Sequence, residues 1–275
     1  MAELPPHLSP SSAASFDGCP RRWKFKYVDG LREPSGQSAV VGTFAHLVLE
    51  HLCQLDAPER TLDRAKLIAR ERWPDVELMP DFADLALSDD DARAFRWQAW
   101  TAIAGLWKLE DPARVEVVAT ERKVEATLAD VPFLGIVDRI ERLDGKLVIS
   151  DYKSGQAPHV RYRDEKIQQV LLYAAAVAAA DGELPHRSRL LYLGQETIDI
   201  DVTESRIGEV TDQLATTWSA ITTACSADTF DPKPGVLCGW CPFAAQCDEG
   251  RAELQRRHAE GILHAHAPGA ALIGV

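Results

Sequence analysis

The sequence has no run of apolar residues approaching the length needed to span a bilayer, which excludes a transmembrane helix. Its first residues, Met1-Ala2-Glu3-Leu4-Pro5-Pro6-His7, lack the basic and apolar regions of a secretory leader. Those two lacks set the expectation of a cytoplasmic protein with no membrane partner. No internal repeat is present. Positive charge is also scarce: 30 Lys and Arg against 42 Asp and Glu leave a net charge of −12. That balance argues against indiscriminate nucleic-acid binding. The deficit is uneven, however. Acids gather at 75–91 (Asp75, Glu77, Asp81, Asp84, Asp89, Asp90, Asp91), while bases gather at 21–26 (Arg21, Arg22, Lys24, Lys26) and 159–166 (Arg161, Arg163, Lys166). A local groove can therefore differ in sign from the average. Hydrophobic and charged fractions of 46% and 26% match an ordinary globular chain rather than a disordered one. At 275 residues it can bury a sizeable core, as one large domain or two small ones.

What is present is organised around residues 133–155. Two apolar-rich runs, 133–143 and 146–152, flank Asp144-Gly145, a strong signal for a two-residue hairpin turn. With that turn Leu143 pairs with Lys146, Ile140 faces Ile149, and Asp138 faces Asp151. Lys153 shares the face of Asp151, because side chains alternate along a strand. Facing carboxylates repel, and a hard divalent cation between them reverses that sign. The alternative is a surface hairpin whose acids keep it soluble, but the isoleucine pair beneath them argues against a fully solvated face. A three-residue turn would move one Asp to the other face.

Before this hairpin, Ser9-Pro10 reads as a helix N-cap with proline at the first helical position, and Gly18-Cys19-Pro20 as its break. The following Arg21-Arg22-Trp23-Lys24-Phe25-Lys26-Tyr27 interleaves bases with aromatics. It suits phosphate contact with base stacking, or equally an aromatic core face with solvated charges. Residues 40–54 form a helix apolar on most sides, with His46 and Glu50 on one face. Helices are expected at 58–73 and 89–109, separated by an exposed acidic loop at 74–88. A strand begins at Val115. After Gly155 a helix is expected at about 164–180, ending at Asp181-Gly182 and carrying Gln169 and Tyr173 on one face. Strands at about 187–193 and 197–202 and a helix from Thr203 to near Cys225 complete an α/β order built on a mixed sheet.

Six cysteines are present: Cys19, Cys53, Cys225, Cys238, Cys241 and Cys247. In a cytoplasmic chain, the spacing Cys238-x2-Cys241-x5-Cys247 in a Pro- and Gly-rich setting suggests a metal-ligand loop. Spacing alone leaves zinc and [4Fe–4S] both open.

Asp138 followed by Asp151-Tyr152-Lys153 resembles the signature of the PD-(D/E)XK nucleases. The wording Gly135-Ile-Val-Asp-Arg-Ile and Asp151-Tyr-Lys-Ser-Gly is most similar to the RecB-like branch. Leu8 to Tyr27, Gly42-Thr43-x-x-His46 and Gln169-x-x-x-Tyr173 also resemble motifs of that branch. The resemblance implies a restriction-endonuclease-like α/β core, a mixed sheet flanked by helices, over one domain at 1–257. Residues 57–110 would be a helical insertion, 230–248 a cysteine loop and 258–275 a mobile tail. It implies that His46, Asp138, Asp151 and the Tyr152 carbonyl hold Mg²⁺ or Mn²⁺, with Asp138, Asp151 and Lys153 catalytic. It implies that Gln169, Tyr173, Arg21 and Arg22 contact DNA or brace the site. Glu121 matches the family only loosely, and a surface role is the simpler reading. Cys19 with Cys238, Cys241 and Cys247 matches the pattern that holds a [4Fe–4S] cluster in relatives of the AddB and CRISPR-associated exonuclease type, with zinc as the alternative. Cys53 and Cys225 read as structural. The implied activity is a DNA exonuclease acting on single-stranded ends in DNA repair or processing. The rival is a non-catalytic DNA-binding or scaffolding subunit that keeps the fold.

Overall fold

The structure, a computed structural model, describes residues 2–160 and 163–275; Arg161, expected in a basic cluster, lies outside the described residues. Its strands are β1 (Glu116–Leu128), β2 (Val131–Leu143), β3 (Lys146–Lys153), β4 (Arg187–Tyr192) and β5 (Glu196–Asp201). Its helices are α1 (Pro10–Gly18), α2 (Pro20–Tyr27), α3 (Gln37–Cys53), α4 (Leu62–Glu77), α5 (Pro80–Ala83), α6 (Asp89–Ala104), α7 (Asp164–Asp181), α8 (Glu204–Ala227) and α9 (Asp248–Ala259). The chain divides into two compact units, one of residues 35–215 and one of 1–34 with 216–275.

The 35–215 unit is built on a five-stranded sheet in the order β1-β2-β3-β4-β5. The first three strands meander antiparallel, β3 and β4 run parallel, and β5 returns antiparallel. At the β2–β3 turn Asp144 and Gly145 take φ of 51° and 75°, which matches the twist of a tight hairpin. Leu143 consequently pairs with Lys146 and Ile140 with Ile149, the register expected from the sequence. Parallel pairing of β3 with β4 needs a crossover, and α7 supplies it. This helix closes on Gly182 at φ 75°, where a side chain would be strained. It lies across β1 to β4 and buries Val170, Leu171, Leu172, Ala174 and Val177. At Gly135 of β2 an added Cβ would sit 2.8 Å from Cε1 of Tyr173, so the glycine admits that ring.

On the other face α3, α4 and α6 form a second layer whose core includes Val48, Leu49, Phe95 and Ile103 together with Tyr152, Leu191 and Leu193 of the sheet side. The expected α/β fold, a mixed sheet flanked by helices with a helical insertion, is thus what the chain adopts. The insertion differs in detail. The exposed loop expected at 74–88 is replaced by the end of α4, which runs through Pro74, and by the short α5. Burial outweighs the helix-breaking tendency of the proline: Val76 is fully buried, and Trp73 packs on Phe44, Phe82 and Phe95 at 5.5, 5.3 and 5.8 Å between ring centroids.

In the other unit α1 begins as expected, with the Ser9 hydroxyl accepting from the Ser12 N–H at 3.2 Å. Trp23 is fully buried, stacks on Phe230 at 5.9 Å and meets Phe16 edge-on at 5.5 Å. Its indole N–H donates to Ser12 Oγ at 2.9 Å. The tail expected to be mobile carries structure of its own: α9 continues to Ala259, and a 3-10 helix at Pro268–Ile273 follows, with Ala267 and Gly269 buried. None of the described helices is long and apolar enough to cross a membrane.

Candidate metal centre

Three elements of the 35–215 unit converge on one end of the β2–β3 hairpin. From α3, the imidazole Nε2–H of His46 donates to the Tyr152 carbonyl at 2.9 Å, while its Nδ1 lies 3.4 Å from Asp138 Oδ2. Gly42, one turn earlier on α3, allows this approach: an added Cβ would stand 2.9 Å from the Ser154 hydroxyl. Asp138 Oδ2 also accepts from the Tyr152 N–H at 2.8 Å, so both main-chain polar groups of Tyr152 face the cluster. Glu121 of β1 completes it, with Oε1 4.0 Å from His46 Nδ1. His46, Glu121 and Asp138 each offer a ligand atom within 4.8 Å of the others. Glu121 reaches this position at a φ of 43°, a left-handed conformation inside a strand that costs roughly 1 kcal/mol or more.

Beside this group lies a second, hydrogen-bonded one. Asp151 Oδ2 is 2.6 Å from Lys153 Nζ. Gln169 of α7 joins the pair, accepting from Lys153 Nζ at 3.2 Å and donating to Asp151 Oδ1 at 3.4 Å. Its amide also donates to the Tyr173 hydroxyl at 3.0 Å. The i, i+4 spacing of Gln169 and Tyr173 thus serves the same end of the sheet.

The charges are crowded. Burial, then the neighbouring Asp138 carboxylate, pushes Glu121 up to about 7, with His46 opposing. Burial and Asp138 likewise push Asp151 up to about 6 against the pull of Lys153. Burial disfavours a charged His46, yet its hydrogen bond to Asp138 and the surrounding acids raise it to about 9. Lys153 is raised in the same way, Asp151 outweighing its burial. Three carboxylates sharing a largely buried site with an imidazole and a main-chain carbonyl make a hard-donor set, and it fits Mg²⁺ or Mn²⁺.

Glu121 is the member that sequence reading undervalued. The signal was positional: Thr120 pairs with Arg139 and Arg122 with Val137, which leaves Glu121 opposite Asp138.

Other expected site residues belong to the unit of 1–34 and 216–275. Arg21 donates to the Phe230 carbonyl at 2.9 Å, and Arg22 is paired with Glu33. Lys24 and Lys26 pair with Asp29 and Glu33 at 2.7 and 2.8 Å, so these bases are engaged within their own segment.

The iron–sulfur expectation is corrected. Cys19, Cys238, Cys241 and Cys247 border one cavity together with Arg21, Arg22 and Phe25. Yet among the described residues it is the His46, Glu121 and Asp138 group, and no set of three thiols, whose ligand atoms lie within 4.8 Å of one another. The thiols are bound into local structure: Sγ of Cys19, Cys238 and Cys247 accepts from the main-chain N–H of Lys233, Gly235 and Gly250 at 3.4, 3.4 and 3.3 Å. Burial raises the Cys241 and Cys247 thiols, disfavouring the thiolate that metals require. The donor set that fits a metal ion is therefore one of carboxylates and imidazole, and neither a [4Fe–4S] cluster nor zinc on these cysteines is supported.

The sequence profile of the PD-(D/E)XK nuclease superfamily matches residues 7–248. No curated protein matches the chain. Among solved structures, one described as a candidate exonuclease from Eubacterium rectale superposes with a TM-score of 0.54 at 14% identity, covering 90% of this chain and 87% of that one. Another, of the protein designated SSO0001, matches at 13% identity over 76% of this chain and 94% of that one, with a TM-score of 0.34 too low to carry an argument.

Proposed function

Because the chain belongs to the PD-(D/E)XK nuclease superfamily, we propose that it is a divalent-metal-dependent nuclease that hydrolyses DNA phosphodiesters at this centre. The observation that carries the reading is the convergence of His46, Glu121 and Asp138 beside the Asp151–Lys153 pair. Asp138, Glu121, His46, Asp151 and the Tyr152 carbonyl would hold Mg²⁺ or Mn²⁺. Such an ion supplies an activated water and stabilises negative charge developing on the phosphate.

The protein's own groups do the rest. Lys153 presents an ammonium at the edge of the acidic cluster, where it offsets the charge of an incoming phosphate and orients the attacking water. Gln169 accepts from that ammonium through its carbonyl and donates to Asp151 through its amide, which fixes the orientation of the Asp151–Lys153 pair. Tyr173 braces Gln169 from the next turn of α7. His46, fixed by the Tyr152 carbonyl and by Asp138, closes the α3 side.

Action on free, single-stranded ends is the finer part of the proposal. It is supported by the resemblance of the hairpin and helix motifs to RecB-like exonucleases, and by the candidate-exonuclease description of the Eubacterium rectale protein that shares the fold. End-labelled single- and double-stranded DNA incubated with the protein and Mg²⁺ or Mn²⁺ should be shortened progressively, and EDTA should stop it. Internal cuts in a closed circular substrate would replace the exonuclease reading by an endonuclease one. No cleavage of any substrate would refute the activity.

A further inference from the structure

Directly behind the candidate centre lies a buried ion network that the proposed chemistry does not use. Arg139 follows Asp138 on β2 and therefore points to the opposite face of the sheet. It is fully buried. Its guanidinium lies 2.7 Å from Glu110 Oε1 and 2.6 Å from Glu141 Oε2, and donates to the Tyr152 hydroxyl at 2.8 Å. Arg189 of β4 joins the set, 3.1 Å from both Glu110 Oε2 and Glu141 Oε1 and 3.4 Å from Asp199 Oδ1. Ser150 of β3 donates to Glu141 at 2.8 Å. Two arginines thus pair with two glutamates across β2, β3, β4 and the end of the helical insertion, where Glu110 sits.

Burying four charges is a poor way to stabilise a fold, since apolar replacements of such networks are often neutral or stabilising. Its placement suggests another use. It grips the hydroxyl of Tyr152, whose main-chain N–H donates to Asp138 and whose carbonyl accepts from His46. Asp138 and Asp151 repel one another across the hairpin, and Lys153, His46 and the donors from Gln169 and the Tyr152 N–H offset that repulsion. A clamp from Arg139 on β2 to Tyr152 on β3 holds the two strands together from behind.

We infer that Arg139, with Glu110, Glu141 and Arg189, is a positioning device that holds the Tyr152 main chain, and so the metal-binding group, in register. Glu110 makes the helical insertion part of that device. The inference rests on the metal-site reading above. It concerns residues that act through Tyr152 and touch no substrate.

The test is Mn²⁺ binding by the full chain in the absence of DNA, measured calorimetrically beside thermal unfolding. Tyr152→Phe removes only the hydroxyl, and should weaken Mn²⁺ binding by about tenfold, the lower end for groups that orient metal ligands. Glu110→Gln, at the far end of the network, should weaken it by several-fold. Val177→Ala in α7 serves as a control, destabilising the fold without touching the network and leaving Mn²⁺ affinity unchanged. Affinities of Tyr152→Phe and Glu110→Gln equal to the wild type, with Asp138→Ala abolishing binding, would overturn the positioning role and leave the metal site standing. Wild-type protein that binds no Mn²⁺ would overturn both.

Discussion

Two charge clusters occupy opposite faces of the same pair of strands, and they are built on opposite rules. Behind the sheet, Arg139 and Arg189 alternate with Glu110 and Glu141, with Asp199 also beside Arg189. In front, Glu121, Asp138 and Asp151 outnumber what His46 and Lys153 can neutralise. The consequence is visible in the acids themselves. Burial favours protonation of Glu110, yet Arg139 and Arg189 more than reverse it and hold its carboxyl below the usual range. Glu121 and Asp151, beside the Asp138 carboxylate, are pushed up to about 7 and about 6. Partly or fully buried acids are thus shifted in opposite directions by their partners, down beside arginines and up beside other acids.

The largest way to break the comparison is to unbalance the rear cluster. Arg139→Met leaves two buried glutamates to share Arg189, and should cost about 3–5 kcal/mol in urea unfolding. A loss within 1 kcal/mol would mean that the network is far better hydrated than its burial implies. On the front face, Lys153→Ala should leave folding intact and slow Mn²⁺-dependent cleavage by about a hundred- to a thousandfold, the scale for removing one charge-stabilising group.

The two clusters should also answer pH with opposite signs in protein kept in EDTA. Glu121 and Asp151 have folded values above the ordinary ones, so each takes up a proton on folding and stability falls as pH rises through about 4 to 7. His46 works in the same direction: its contribution is fully present below about 6.5 and is lost as pH rises through about 9. Glu110, held low, contributes stability above about 4.5 that is lost as pH falls through its folded value. Melting temperature should therefore decline on both sides, with Glu121→Gln flattening the alkaline limb and Glu110→Gln the acid one. A smaller effect tests the packing between them. Gly135→Ala would push a methyl against Tyr173 and should cost about 1–3 kcal/mol.

Much of the front face was legible in the sequence because its signals are local. Asp144-Gly145 fixes the turn, the turn fixes the register, and alternation then places Asp151 and Lys153 together. Helical spacing puts Gln169 and Tyr173 on one face, but their role and that of His46 came from the resemblance to RecB-like nucleases. The rear network was not legible. Arg139 and Glu141 carry no pattern that singles them out, and their role depends on Glu110 and Arg189, distant in sequence, being brought against them. Glu121 was undervalued for a related reason, since its role depends on the β1–β2 register and on a backbone conformation that no sequence pattern announces. Residues 74–88 were read as an exposed acidic loop, and the packing of the half-buried Trp73 and the buried Val76 overrode that local signal. The cysteines misled in the other direction: Cys238-x2-Cys241-x5-Cys247 has the spacing of a ligand loop, but the group within metal-binding distance consists of carboxylates and imidazole.

The central claim is that the unbalanced cluster binds a divalent cation and uses it to cut DNA. Single-turnover cleavage of end-labelled single-stranded DNA, titrated with Mn²⁺ for the wild type and for Asp138→Asn, tests it most directly. The account predicts saturable, EDTA-sensitive cleavage by the wild type and a loss of about a thousandfold or more in the variant at every Mn²⁺ concentration. Cleavage that persists in EDTA, or an Asp138→Asn protein as active as the wild type, would contradict it.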